Sequence, residues 1–368
     1  MLEPFFGGSH KSWAEGLQNF SSCDISVFGL KPKNWKWLMH AGAIELADKV
    51  NREPVPDLFL VSDMMDLALF KSLLRAERAK VPVMLYFHEN QLMYPRSEKD
   101  TDLLEKRDNH YGFMNYTSCL VADKIAFNSQ FHLRAFFDAL AVFLKSFPDS
   151  IVHLKKIEEL KTKSLVLHPG IFLDQRAGEN EKNISGIPVI LWNHRWEYDK
   201  NPEDFFQALF QLKREGINFE LVVLGEQFRA SPPIFEVAKQ QLKNEIIHWG
   251  FVNSLKEYMK LLKSCDILPV TSVHDFFGIS VVEAIACGVI PLLPNDLAYP
   301  EHLPSRCEIL LYERGDFLSK LRSLIKNFGQ IDSGKLQNHV SRYSWKNVAK
   351  EYDNSFMKLI NDSASRMV

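Results

Sequence analysis

Short apolar runs recur along the whole chain, each bounded by Pro, Gly, Asn or Asp and separated by amphipathic stretches. PDLFLVSD, VPVMLYFHEN, ADKIAFNS and KSLVLHPG fall in the first half, and IPVILWNHR, NFELVVLGE, EIIHWGF and CDILPVTS in the second. Runs this short read as strands, and PEDFFQALFQLKREG and SLKEYMKLLKSC between them read as helices. That rhythm restricts the fold to α/β, with two parallel, helix-flanked sheets of the Rossmann-like kind. A chain of 368 residues exceeds one ordinary core and suits two domains. The polar, glycine-bearing DQRAGENEKNISG reads as the linker near residue 180, so the expected domains are 1–180 and 181–368. Ligands of open α/β sheets bind outside the carboxyl ends of the strands, so polar residues just after each strand are expected to face a shared cleft. MLEPFFGGSH reads as the last residues of a first strand and its loop, with almost no strand before it.

A formal net charge of −2 gives no global argument for nucleic-acid binding, so any such surface must be local. The five cysteines are odd in number, dispersed and without a C-x-x-C spacing, which points away from a disulfide framework or structural zinc and toward a reducing, cytoplasmic setting. No apolar run approaches the ~18 residues that span a bilayer, and no signal-peptide pattern opens the chain; no membrane partner is expected.

The segment HDFFGISVVEAIACG follows the strand CDILPV and carries two acids eight positions apart, Asp275 and Glu283. Its turn aims the amides near Phe277, Gly278 and Ile279 at the cleft, where the positive end of the helix can hold a phosphate. Gly278 permits close approach of a ligand to the backbone. Glu283, about a turn into the helix, suits ribose hydroxyls, and Asp275 suits the group attached beyond the phosphates. In LWNHRWEYDKNPEDF, Arg195 and Lys200 sit between a strand and a helix capped by Asn201. Two cations there can neutralise a leaving diphosphate without a metal. Taken singly, an Arg and a Lys in a loop are more often solvated than catalytic, and their weight here comes from occurring with the acidic segment.

These two segments resemble the retaining glycosyltransferases of family four, which share the GT-B fold of two Rossmann-like domains and a cleft. Arg195 and Lys200 match that family's R-x-x-x-x-K, and DFFGISVVE matches its E-x-x-x-x-x-x-x-E, with Asp275 in place of the usual first Glu. VLGE at 223–226, including Gly225, HWGFV at 248–252 and YSWKNVAKEY at 343–352 extend the likeness, the last resembling the family's closing segment before its final helix. EPFFGGSHKSW, YFHENQLMYP, WNHRWEYDKNPEDFF, HDFFGISVVEAIACG and NDLAYPEHLP are more specific and resemble the tRNA-queuosine α-mannosyltransferases over nearly the whole chain.

That resemblance implies GDP-mannose as donor and the cyclopentene-diol of queuosine in the anticodon loop of an aspartate tRNA as acceptor. It implies retention of configuration and no cofactor. It also divides the labour: residues 1–180 bind acceptor, and 181–368, with a closing C-terminal helix, bind the nucleotide-sugar. Gly7, Gly8, Ser9 and His10 form the first strand-to-helix loop, facing donor phosphates or acceptor. His88 is placed near the reacting hydroxyl, with Glu89, Asn90 and Gln91 beside it. Asn109 and His110 carry a similar assignment, and Asn128 and Ser129 read first as helix caps. No D-x-D pair ends a strand, so no metal is expected. For RNA contact, KPKNWKW offers Lys31, Lys33 and Lys36 with Trp35 and Trp37, and HLKKIEELKTKS offers Lys155, Lys156, Lys161 and Lys163. The competing readings are the same fold with a glycan or lipid acceptor, for which AFFDALAVFLKSF is the membrane-facing candidate, and a binding module without turnover.

Overall fold

Apolar runs buried on both faces have only strand pairing to satisfy their backbone groups, and here they pair in parallel. The computed structural model describes residues 1–94, 109–148, 150–172, 186–227 and 231–367. Strands β1 (Leu2–Glu3), β2 (Phe28–Gly29), β3 (Phe59–Ser62), β4 (Val83–Phe87), β5 (Lys124–Phe127) and β6 (Ser164–Val166) form one sheet in the order β2-β1-β3-β4-β5-β6. Strands β7 (Val189–Trp192), β8 (Glu220–Val223), β9 (Ile246–Trp249), β10 (Ile267–Pro269), β11 (Ile290–Pro294) and β12 (Leu311–Tyr312) form a second, in the order β12-β11-β10-β7-β8-β9. The two-residue β1 accounts for the short strand at the start: Leu2 pairs with both Phe28 and Val61, so its brevity does not remove it from the sheet.

Each order has a switch point where successive connections leave in opposite directions, between β1 and β3 in the first sheet and between β7 and β10 in the second. At such points the loops after adjacent strands part and leave a crevice. The register Ile190↔Ile267 brings the ends of β7 and β10 side by side, and Val61↔Leu85 does so for β3 and β4.

The chain folds as two compact units, and the division differs from the expected one. The first contains Met1–Gly170 and the final helix, Trp345–Met367; the second is Ile171–Ser344. The expected linker, 174–186, lies almost wholly outside the described residues. The closing helix belongs with the first unit because its apolar face is buried there. Trp345, Val348, Tyr352, Phe356 and Leu359 pack with Trp13, Leu17 and Tyr86. The Trp13 indole N–H donates to the Tyr352 hydroxyl at 3.0 Å. Gly16 is required by this packing, since a Cβ there would stand 2.2 Å from the Trp345 ring. No helix among the described residues is long and apolar enough to cross a membrane.

Candidate functional site

In the second unit, the loop after β7 and the loop after β10 meet at Lys200. Its Nζ lies 3.1 Å from Asp199 Oδ2 and 3.3 Å from Asp275 Oδ2, and donates to the His274 carbonyl at 3.0 Å. Burial opposes a charged ammonium, but Asp275 and Asp199 outweigh it and raise the Lys200 pKa above its ordinary value. Burial likewise opposes ionisation of Asp275, and Lys200 outweighs it, so Asp275 titrates below its ordinary value. The Tyr299 hydroxyl donates to the same Asp275 oxygen at 3.2 Å. A buried cation with two acids and a phenol around it is a fixed positive group at a strand mouth.

Arg195 stands differently. Its side chain is 51% exposed and pairs with Glu197 Oε2 at 3.0 Å, yet its charge still acts on Lys200. Just past Asp275, Gly278 caps the helix Ile279–Ala286 with φ 79°, a left-handed conformation that favours glycine. A Cβ at this position would also approach Tyr299 to 2.9 Å. Phe277 turns into the core against His302 and Tyr343, and its carbonyl accepts from His302 Nε2 at 2.5 Å. Glu283 accepts from the Tyr258 hydroxyl at 2.9 Å, and burial pushes its carboxyl up to about 7. Gly225 (φ 122°) serves chain packing: a Cβ would strike the His194 carbonyl oxygen at 2.0 Å. His194 itself is buried, meets Ser280 Oγ at 3.3 Å through Nδ1, and is driven down to about 4 by burial and then by Lys200.

In the first unit the loops after β1, β3 and β4 converge on Glu3. Its Oε1 accepts the Phe5 amide at 2.9 Å and the Ser62 hydroxyl at 3.0 Å. Its Oε2 lies 3.2 Å from His10 Nδ1 and 3.6 Å from His88 Nε2. The two imidazoles are 4.0 Å apart between centroids. Burial works against charge on Glu3 and His10 alike, but their attraction outweighs it: Glu3 falls below the carboxylate range and His10 rises to about 9. His88 is pushed down to about 4 by burial and by the neighbouring His10 charge. These three side chains are compact enough to hold a metal ion, with ligand atoms within 4.8 Å of one another, but a 3.2 Å N···O separation is equally that of a protonated ion pair, and we read it so. Asp63, fully buried, accepts the His88 amide at 2.8 Å through Oδ1; burial and then Glu89 hold its carboxyl well above the usual range.

The remaining expected residues divide. At Gly7 a Cβ would meet Pro32 at 2.5 Å, whereas Gly8 (φ 53°) has nothing within 4 Å. Ser9 is exposed. Glu89 accepts from Gln91 Nε2 at 3.2 Å, and the Gln91 amide donates to Asn115 at 2.8 Å. Asn90 corrects the acceptor-binding expectation. It is fully buried, its oxygen takes the Leu92 and Met93 amides, and its nitrogen meets His132 Nε2 at 2.9 Å, so its polar atoms stabilise the turn. Asn128 and Ser129 do the same at the next strand end: Asn128 donates to the His88 carbonyl at 2.8 Å and Ser129 caps its helix. Asn109 precedes the helix His110–Val121, and His110 stacks on His40 with centroids 5.5 Å apart. Glu3, Asp63, Asp199, Tyr258 and Tyr299 were not singled out from the sequence. Glu3, Asp199 and Tyr299 lie inside strings the resemblance already used, but nothing in one sequence says that they meet His10, Lys200 or Asp275.

Residues 1–171 match the family described as tRNA-queuosine alpha-mannosyltransferase N-terminal, and residues 175–327 match glycosyl transferases group 1. A Drosophila melanogaster tRNA-queuosine alpha-mannosyltransferase is 32% identical over 99% of this chain and 98% of its own length. The chain belongs to the tRNA-queuosine alpha-mannosyltransferase family. Its fold is accordingly GT-B and it is a glycosyltransferase. The Anabaena protein HepE in complex with UDP superposes with a TM-score of 0.64 at 14% identity, covering 97% of this chain and 91% of that one. A trehalose-6-phosphate synthase described with enzymatic glycosyltransfer with retention gives 0.60 at 14% identity, over 86% of this chain and 77% of the other. In this member of the tRNA-queuosine alpha-mannosyltransferase family the basic pair is Arg195 and Lys200, and the two acids are Asp275 and Glu283.

Proposed function

We propose that this glycosyltransferase moves mannose from GDP-mannose to the cyclopentene-diol of queuosine in the anticodon loop of an aspartate tRNA, retaining anomeric configuration. The observation that carries the donor half is Lys200, held charged between Asp199 and Asp275 beside the turn at Gly278. In the proposed arrangement the diphosphate rests on Lys200, Arg195 and the amides from Phe277 to Ile279, which meet the charge as it develops on the leaving group. Asp275 orients the transferred sugar and Glu283 the ribose. These groups supply the positive charge themselves, so no metal is required. HepE was solved with UDP, and the choice of GDP and mannose here follows the family instead.

The acceptor half rests on His88 and the first-unit residues around it. For the RNA, Lys31 and Lys33 are exposed and Trp37 is 65% exposed, at the loop after β2 and the start of the next helix. Cations with an exposed indole suit phosphates and a splayed base. The five unpaired thiols agree with work in a reducing, cytoplasmic setting.

Incubation with GDP-mannose and queuosine-containing tRNA, followed by nucleoside mass spectrometry, tests this directly. Addition of one hexose to queuosine, absent with Lys200→Ala, is expected. Slow GDP release without any tRNA product would overturn the acceptor assignment and leave a glycosyltransferase of another acceptor.

A further inference from the structure

Two imidazoles and one carboxylate share a single buried corner of the first sheet, and charge balance restricts how they can be protonated. Glu3 is fully buried, and a buried carboxylate without a cation is costly. One proton on the pair of histidines satisfies it; two would place like charges on rings 4.0 Å apart. The shorter contact goes to His10 Nδ1, at 3.2 Å, so that ring carries the charge and His88 is neutral. A neutral imidazole holds its proton on one nitrogen and a lone pair on the other, and the choice is set by what the first nitrogen faces. Here Nε2 of His88 faces Glu3 Oε2 at 3.6 Å.

We propose that Glu3 is a positioning residue for transfer: its buried carboxylate, with Oε2 3.6 Å from His88 Nε2, electrostatically favours the tautomer with hydrogen on Nε2 and leaves Nδ1 as the lone-pair nitrogen presented to the acceptor hydroxyl. The inference rests on the reading of His88 as the group beside that hydroxyl. Everything else about His88 is already held. Asp63 accepts its amide at 2.8 Å, Asn128 donates to its carbonyl at 2.8 Å, and the Trp13 ring meets it edge-on with centroids 4.5 Å apart. Those contacts fix where the ring is, and none of them specifies which nitrogen bears hydrogen. Glu3 in turn cannot rotate away, because its other oxygen is occupied by the Phe5 amide and the Ser62 hydroxyl. The charged groups acting on His10 are Glu3, Asp63 and Glu89, and those acting on His88 are His10 and Glu3. The low titration of His88 agrees with a ring that stays neutral through the physiological range.

Glu3→Gln is the sharpest test, because it removes the negative charge that faces Nε2 and puts a neutral amide in its place. Ring-nitrogen NMR shifts of His88, assigned against His88→Gln, are expected to report Nε2–H in the wild type and Nδ1–H in Glu3→Gln. Turnover is expected to fall by ~10²-fold or more, the scale of losing a positioned proton acceptor, while acceptor KM changes little. Glu3→Asp is expected to restore the wild-type tautomer and part of kcat. Should Glu3→Gln unfold the first unit, His10→Gln serves instead: Glu3 then answers to His88 alone, and the His88 titration is expected to climb from near 4 toward neutrality.

An unchanged tautomer in Glu3→Gln would overturn the proposal, as would one divalent ion per chain in the wild type that disappears in this variant. A tautomer that switches in a protein that never modifies queuosine would instead fault the acceptor reading and leave the role of Glu3 intact.

Discussion

Lys200 and Asp275 are 75 positions apart in sequence and meet with Nζ 3.3 Å from Oδ2 at the switch point of the second sheet. The contact makes each group's charge depend on the other, and removal of either has two consequences that can be separated. Lys200→Ala leaves Asp199 and Asp275 buried without their cation, costing ~3–5 kcal/mol, and removes the positive group proposed to meet the leaving diphosphate. Turnover is expected to fall ~10²- to 10³-fold. Adding Asp199→Asn to Lys200→Ala is expected to recover part of the melting temperature and none of the turnover. Thermal melts beside product mass spectrometry check both; joint recovery would refute a catalytic role.

Glu283 is expected to make donor affinity pH-dependent. Burial places its carboxyl at about 7, above the ordinary 4.5, so the folded apo protein holds a proton there that the unfolded chain has lost. Raising pH from 4.5 to 7 therefore removes stability. A ribose diol is best bound by the ionised form, so GDP affinity is expected to rise about tenfold between pH 6 and pH 8, with proton release near pH 6.5. Calorimetric titration in buffers of different ionisation enthalpy measures the proton. Glu283→Gln is expected to flatten the profile, and an unchanged slope in that variant would count against the assignment.

Gly278→Ala is expected to weaken donor binding through Tyr299. The left-handed φ of 79° costs a residue with a Cβ ~1–2 kcal/mol, and that Cβ would press on the Tyr299 ring at 2.9 Å. Displacing the ring breaks its 3.2 Å hydrogen bond to Asp275. Tyr299→Phe removes the same bond and vacates no ring volume. Comparing donor KM and melting temperature for the two variants separates the strained turn from the lost hydroxyl. If Gly278→Ala matches the wild type in both, the turn is not under the constraint described.

The His10–Glu3 pair stabilises the first unit over a defined pH window. His10 is raised to about 9 from 6.5, so its contribution is complete below 6.5 and lost as pH climbs through 9. Glu3 is depressed, so its contribution is complete above 4.5 and lost in acid. His88, depressed to about 4, withdraws stability as pH falls below 6.5. The wild-type melting temperature is expected to decline from pH 7 to pH 10, and the decline to be smaller in His10→Gln. Parallel declines in the two proteins would show that the pair does not titrate in this range.

What could be read from the sequence follows how local each signal is. VPVMLYF and CDILPV announce buried parallel strands because both faces of such a strand must be apolar, a property each carries alone. Arg195 with Lys200, and Asp275 with Glu283, were legible because each pair lies within one loop or one turn-and-helix. The partners that set their charge were not: Tyr299 reaches Asp275 from 24 residues away and Tyr258 reaches Glu283 from 25. Glu3 looked like an ordinary strand residue, and only pairing in the sheet brings Ser62 and His88 to it. Asn90 misled because a polar residue after a strand has the same appearance whether it faces a ligand or closes its own turn. YSWKNVAKEY resembled a closing segment before a final helix without showing which core would take that helix.

The first unit is made of two pieces of chain, and Ile171 forms a bridge with Ser344 where the second unit begins and ends. A ribosome delivers those pieces at opposite ends of its work. The second unit has all its residues once Ser344 emerges, while Trp13, Leu17 and Tyr86 still wait for Trp345, Tyr352 and Phe356. Order of synthesis and order of completion are thus reversed: the half of the protein that is made first is the half that finishes last, and a nascent chain stalled near residue 340 holds most of a completed second unit and a first unit with an open core.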